Sequence, residues 1–183
     1  MRDILIVGAG KIGTVIADLL TSCGDYAVTV ADRDPAAVER VGAELARVQV
    51  CVLDVADTDA LAAELEGRWA VIDAGPFDIG MRIAAAAVAQ RVHYLNLTED
   101  VASTRRVREL AGGAHSALIP QCGLAPGFIS IVAHDLAARF DTLLDVRMRV
   151  GALPKYPSNG LKYNLTWSTD GLINEYLNPC EAI

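Results

Sequence analysis

Six short apolar runs alternate with six stretches of helical spacing between residues 4 and 139. This alternation limits the fold more than any other feature of the chain. The runs lie at Ile4–Val7, Ala27–Ala31, Val48–Leu53, Ala70–Asp73, Val92–Leu97 and Ala117–Pro120. The helical stretches, rich in Ala, Leu, Glu and Arg, fall near 12–23, 35–46, 58–66, 79–90, 99–113 and 127–139. A strand that is apolar nearly throughout is buried on both faces, as in a parallel sheet covered by helices. Strict strand–helix succession therefore predicts a doubly wound parallel α/β domain over residues 1–140.

From residue 141 the pattern changes. In Leu143–Val150 the side chains alternate, with Leu144, Val146, Met148 and Val150 on one face and Asp145, Arg147 and Arg149 on the other. That predicts a strand with one wet face, at home in an antiparallel or mixed sheet. After Pro154, Pro157 and Gly160, a second strand-like stretch, KYNLTWS, begins at Lys162. Residues 141–183 read as the start of a second, mixed α+β unit, left incomplete where the sequence stops. A length of 183 residues suits one domain and part of another.

A hydrophobic share of 52% against 21% charged residues supports a sizeable core and excludes a disordered chain. The net charge of −7 argues against a nucleic-acid surface, and Arg105, Arg106 and Arg108 beside Glu109 read as a solvated helix face. No run approaches the roughly 18 apolar residues of a membrane span. Arg2 and Asp3 lead straight into a strand pattern without the features of a signal peptide. Cys23, Cys51, Cys122 and Cys180 form no CxxC pair, which suggests free thiols in a reducing cytoplasm. Neither they nor His93, His115 and His134 have metal-ligand spacing, so no metal site is expected. His93 and His134 read as structural, His115 as a loop residue, and Trp69 and Met148 as core.

The first strand runs into VGAGKIG. A lone GxGxxG is weak evidence, but here a strand precedes it, a helix follows it, and Asp32 ends the next strand. Gly8 permits the tight turn, Gly10 lets backbone approach a pyrophosphate, and Gly13 allows close helix–strand packing. The helix starting near Lys11 and Ile12 offers free N–H groups and a positive dipole end to phosphates. Asp32 can accept hydrogen bonds from ribose hydroxyls, which favours NAD; Arg33 either pairs a 2′-phosphate, which would allow NADP, or is a solvated loop charge.

The remaining strand-end loops share one edge of such a sheet, where ligands bind. Asp54 and Val55 can hold an adenine edge, with a helix cap or a turn residue as the alternatives for Asp54. Asp73 to Phe77, DAGPF, is small and rigid enough to lie under a cofactor through Ala74, Gly75 and Pro76, unless it is a simple turn. Asn96 can present an amide and Thr98 can cap the next helix; Glu99 and Asp100 fit the ordinary preference for acids in a first turn. Cys122 is either an ordinary buried thiol or a chemical group. The backbone from Gly123 through Leu124, Ala125 and Pro126 to Gly127 can floor the nicotinamide or substrate.

With VGAGKIG, DAGPF, HYLNLTED, QCGLAPG and the stretch from Gly151 to Ile183 in view, the chain resembles the saccharopine dehydrogenase family, including its lysine 6-dehydrogenase and carboxynorspermidine dehydrogenase-like members. The resemblance implies an N-terminal Rossmann domain, a nicotinamide cofactor, and a substrate and dimerisation domain inserted before the last parts of that fold. It implies hydride transfer at a C–N bond of an amino-acid-like substrate by a full-length homodimer, with residues 1–183 expected to be inactive alone. Carried over by motif, Gly8, Gly10, Lys11, Ile12, Gly13, Asp32 and Arg33 would contact phosphate and ribose. Gly75 and Pro76 would line the cofactor, Cys122 to Gly127 the nicotinamide and substrate, and Tyr163, Trp167 and Ser168 would begin the substrate domain. Tyr163 and Trp167 read equally well as aromatic core. The reaction requires a general base, for which Asp100, Lys162, Tyr163 and Asp170 are unranked candidates. The rival readings are a dinucleotide-binding module without catalysis and a related reductase acting on an enoyl group.

Overall fold

The computed structural model describes residues 1–151, 154–158, 160, 162 and 169–177. Its elements are β1 (Arg2–Val7), α1 (Lys11–Ser22), β2 (Tyr26–Asp32), α2 (Pro35–Glu44), β3 (Gln49–Val52), α3 (Thr58–Leu65), β4 (Ala70–Asp73), α4 (Gly80–Ala89), β5 (His93–Asn96), α5 (Val101–Ala111), β6 (Leu118–Ile119), α6 (Phe128–Ala137) and α7 (Thr169–Leu177). The six strands form one parallel sheet in the order β3-β2-β1-β4-β5-β6. The expected doubly wound sheet is present, and the order reverses between β1 and β4.

Each strand sends alternate residues to opposite faces, so two cores form. On one face Leu5, Val7, Val71 and Tyr94 pack against Leu61 and Leu65 of α3, Ile83, Ala84 and Ala87 of α4, and Val107 of α5. On the other, Ile4, Ile6, Val28 and Val30 pack against Ala17 of α1 and Ala37 and Val41 of α2. Leu5 and Ile83 are fully buried, and truncating either to Ala costs about 2–5 kcal/mol. Beyond α1 the second face opens a cavity of about 320 Å³ lined by Ile4, Leu20, Trp69, Ile72, Leu95 and Ile119. Trp69, expected in the core, stands 40% exposed at its rim. There Arg2 lies 4.7 Å over its ring and His93 meets it edge-on.

Aspartate side chains cap three helices: Asp34 on α2, Asp57 on α3 and Asp100 on α5. The helices that follow β1, β4 and β6 begin instead at Gly10, Ile79 and Gly127, with no side-chain cap. No helix among the described residues is long and apolar enough to cross a membrane.

Past residue 140 the structure departs from the sequence pattern. Leu143–Val150 forms no strand. Alternation selects a strand only when a neighbouring edge takes up its N–H and C=O groups, and the described residues pair no ladder with it. Its apolar side chains are accordingly exposed, Leu144 at 96% and Met148, expected in the core, at 54%. His134 is exposed on α6. Of KYNLTWS only Lys162 is described, in a left-handed conformation with φ 53. The helix α7 was not anticipated from the sequence.

Candidate functional site

The glycine loop lies at the end of β1, where the strand order reverses. Gly8 has φ +112, and a Cβ there would stand 2.7 Å from the Ala74 carbonyl oxygen. The close approach of the β1 and β4 loops thus depends on glycine at this position. A Cβ on Gly13 would collide with the Gly8 carbonyl, so α1 packs directly on the loop. Gly10 differs from both. Its φ is −77 and a Cβ would meet nothing within 4 Å. A side chain would fit there, and its absence leaves the first-turn amides of α1 without a side-chain acceptor. Lys11 is exposed and Ile12 is 50% exposed beside it.

The peptide at Ala9 is held from both sides. Its N–H donates to Asp32 Oδ2 at 2.8 Å, and its carbonyl accepts from Arg40 Nη2 of α2 at 2.9 Å. Asp32 Oδ1 accepts from the Asp34 N–H at 2.9 Å. Each carboxylate oxygen therefore keeps one lone-pair direction for a further donor. Arg33 is exposed next to it. Arg40 was missed from sequence, because a basic residue on a solvated helix carries no local sign of what it reaches.

Asp54 is exposed and closes its own turn by accepting from the Ala56 N–H at 2.9 Å, whereas Val55 is buried in the core. The cap of α3 is Asp57, three residues on. After β4, Ala74 N–H donates to the Val7 carbonyl at 2.8 Å, which carries the β1–β4 pairing into the loop. Gly75 is half-buried and Pro76 exposed.

Beneath this loop lies a buried polar chain. Asp73, 4% exposed, accepts from Gly75 N–H through Oδ1 at 3.1 Å and lies 3.0 Å from the Tyr94 hydroxyl through Oδ2. Asn96 Nδ2 donates to that hydroxyl at 3.1 Å, and Asn96 Oδ1 accepts from Gln121 N–H at 3.0 Å. Asn96 is 1% exposed, so its amide faces inward. Burial pushes the Asp73 carboxyl up to about 6, against the hydrogen bonds from Gly75 and Tyr94, and Asp78 adds to the rise. Burial and the neighbouring Asp73 likewise push the Tyr94 phenol up. Tyr94 carried no separate signal in the sequence; parallel pairing of β4 with β5 brings it to Asp73.

The QCGLAPG segment folds into a closed loop. Cys122 N–H donates to the Asn96 carbonyl at 2.7 Å, and Phe128 N–H to that of Gly123 at 2.9 Å. Gly127 has φ +127, and a Cβ there would meet the Gln121 carbonyl oxygen at 2.7 Å. The Ala125–Pro126 bond is cis, and Leu124 and Ala125 are exposed. Burial raises the Cys122 thiol above its ordinary value, which disfavours the thiolate.

Asp100, 7% exposed, caps α5 by accepting from Ser103 N–H at 2.7 Å, while Thr98 Oγ1 accepts from Asp100 N–H at 3.1 Å. Its Oδ1 accepts from Asn174 of α7 at 3.1 Å. Burial alone would raise this carboxyl, but the hydrogen bonds from Ser103, Asn174 and Ala102 outweigh it and hold it below its ordinary value. Lys162 is exposed, and so is Asp170 in the first turn of α7. Tyr163, Trp167 and Ser168 lie outside the described residues.

The parallel sheet, the order reversal and the glycine loop against an uncapped helix define a dinucleotide-binding α/β domain. Residues 4–118 match the saccharopine dehydrogenase NADP binding domain family, and the chain belongs to that family. Its cofactor class is the nicotinamide dinucleotide, NAD(P). The chain is 26% identical over 181 residues to the saccharopine dehydrogenase [NADP(+), L-glutamate-forming] of Pyricularia oryzae, covering 94% of this chain and 39% of that protein. Apo saccharopine dehydrogenase (L-Glu forming) from Saccharomyces cerevisiae superposes with a TM-score of 0.73 at 21% identity, over 94% of this chain and 40% of that one. The NAD(P)-binding domain of an exopolyphosphatase-related protein from Archaeoglobus fulgidus superposes at 0.56 and 17% identity, over 76% of this chain and all of that one. These two structures share the fold. The chain thus spans about two-fifths of the length of its saccharopine dehydrogenase relatives.

Proposed function

We propose that this chain is the cofactor-binding part of an oxidoreductase that moves hydride between a nicotinamide dinucleotide and a carbon bearing nitrogen in an amino-acid substrate. The observation that carries this reading is the loop at Gly8–Gly13. Two glycines are demanded by packing, and the third, Gly10, leaves a sterically open approach to the N-terminus of α1. The residues fit the cofactor, because pyrophosphate needs free amides and close backbone rather than a metal. When bound, the nicotinamide supplies the hydride chemistry.

The chain's own residues bind and orient. The α1 amides hold phosphate, while Asp32 and Arg40 keep the Ala9 peptide in place for it. Asp32 has accepting capacity left for ribose hydroxyls, which favours NAD(H). Exposed Arg33, and the name of the Pyricularia relative, support NADP(H) as the second reading. The loops at Gly75–Pro76 and Cys122–Gly127 follow β4 and β6 at the strand-end edge where the nicotinamide and substrate would lie. With Asp100 committed to α5 and α7, the proton-accepting role passes to Lys162, Tyr163 or Asp170. In the direction that oxidises an amine, such a base takes the proton from nitrogen or from the attacking water.

Amine-dependent reduction of NAD(P)+, measured at 340 nm with saccharopine-like secondary amines and with lysine on a chain extended past Ile183 to the length of its relatives, tests the reaction. Turnover with either class supports it. Reduction of an enoyl substrate instead, or dinucleotide binding with no amine-dependent turnover, would overturn it.

A further inference from the structure

The polar chain under the β4 loop is assigned no step in the proposed hydride reaction, yet it joins three strand ends. An aspartate buried to this degree normally has a cation beside it. The partners of Asp73 here are the Gly75 amide and the Tyr94 hydroxyl. The Tyr94 hydroxyl also lies 3.3 Å from the Gly80 carbonyl oxygen, a second acceptor. The site is built around this arrangement: a Cβ on Gly80 would stand 2.7 Å from Asp73 Oδ2 and 3.2 Å from the Tyr94 oxygen.

This geometry satisfies two proton states without moving a heavy atom. With Asp73 ionised, Tyr94 O–H donates to Oδ2 while Asn96 Nδ2 donates to the Tyr94 oxygen. With Asp73 neutral, its own O–H donates to the Tyr94 oxygen, and the tyrosine proton turns to the Gly80 carbonyl. Every buried donor keeps an acceptor in both.

The chain touches the cofactor loops at both ends. The Gly75 amide held by Asp73 belongs to the turn that packs on Gly8, where a Cβ would lie 3.0 Å from Gly75 N. Asn96 receives the Gln121 amide through its side chain and the Cys122 amide through its backbone carbonyl. A charge on Asp73 is therefore felt by the turn that packs on the glycine loop proposed for an anionic pyrophosphate. We propose that Asp73 is a positioning residue: through Gly75, Tyr94 and Asn96 it sets the cofactor loops so that the domain binds the dinucleotide more tightly when the chain of three carries an extra proton than when it does not.

Among the described residues, few groups bear on Asp73. β5 contributes Tyr94, and the loop before α4 contributes exposed Asp78. β1 opposes it with apolar Val7, and α4 with the backbone of Gly80. With the carboxyl raised by burial to about 6, the switch falls between pH 5 and 7.

This inference rests on the dinucleotide reading, and its test separates the two. NADH is the probe, because the 2′-phosphate of NADPH itself titrates near pH 6. Its fluorescence titration from pH 5.5 to 8 is expected to show affinity falling about three- to tenfold through the range, the order set by one charge near a pyrophosphate. Asp73→Asn keeps an acceptor for Gly75 and a donor for Tyr94, so it copies the protonated pattern. It should bind tightly with a flat profile. Tyr94→Phe removes the donor from Asp73 and should move the midpoint of the profile to higher pH. Parallel profiles in wild type and Asp73→Asn overturn the proposal while leaving dinucleotide binding intact, as does uniformly weaker binding by Asp73→Asn. Should Asp73→Asn not fold, an unmoved midpoint in Tyr94→Phe overturns it alone. NADH binding at no pH sinks both readings.

Discussion

Gly10→Asp should make the protein slightly more stable while removing its ligand. Gly10 has the extended conformation of an N-cap, φ −77 and ψ −175, and open space where a Cβ would go. An aspartate there caps α1 as Asp34, Asp57 and Asp100 cap their helices. The gain over glycine is a few tenths of a kcal/mol from the cap, and about 0.3–1 kcal/mol from the helix dipole. Repulsion from Asp32, which binds the adjacent Ala9 amide, offsets part of it. The net is about 0.5 kcal/mol, or roughly 1–2 °C in Tm for a chain of this size. The new carboxylate takes the amides a phosphate would use and repels it. Losing one or two charge-assisted hydrogen bonds, about 2 kcal/mol, weakens binding about 30-fold or more. Thermal denaturation and NADH fluorescence titration read the two effects separately. A folded variant that binds within threefold of wild type would refute the placement of phosphate on α1.

Three further outcomes follow from the same geometry. Arg40→Met removes the donor to the Ala9 carbonyl and should weaken dinucleotide binding about three- to tenfold with little change in Tm, since the arginine is exposed. Asp100→Ala should cost about 1 kcal/mol through the lost α5 cap and expose α7 to protease, because the same carboxylate holds Asn174. For Asp73 the folded carboxyl, near 6, lies above its unfolded value of 3.8, so the native state binds the proton more tightly. Stability is then highest below about pH 4 as far as this group is concerned, and falls as pH rises to about 6. The loss is on the order of 2–3 kcal/mol and persists above that pH. Urea denaturation at pH 5 and 7.5 should show Asp73→Asn lacking this component.

The sheet and the glycine loop were legible because both follow from local rules. Apolar runs without alternation mark buried parallel strands, and a glycine whose Cβ would strike backbone leaves its mark in the sequence. Contacts between distant residues were not legible in the same way. Arg40 reaches Ala9 across 31 positions and Tyr94 reaches Asp73 across 21, and only strand register and helix packing bring them together. Asp100 shows the limit from another side. An acid at a helix start can cap or catalyse, and its bonds to Ser103 and Asn174 become visible only in the fold. At Leu143–Val150 a correct observation of alternation led to a strand that the described chain does not pair.

The central claim is that the loop from Gly8 to Gly13 binds a nicotinamide dinucleotide. Titrating this chain with NADH and NADPH separately, by reduced-nicotinamide fluorescence, tests it most directly. Saturable binding of at least one, with NADH the tighter, is the expected result and assigns the ribose to Asp32. Tighter NADPH would assign it to Arg33. Saturation by neither would contradict the claim.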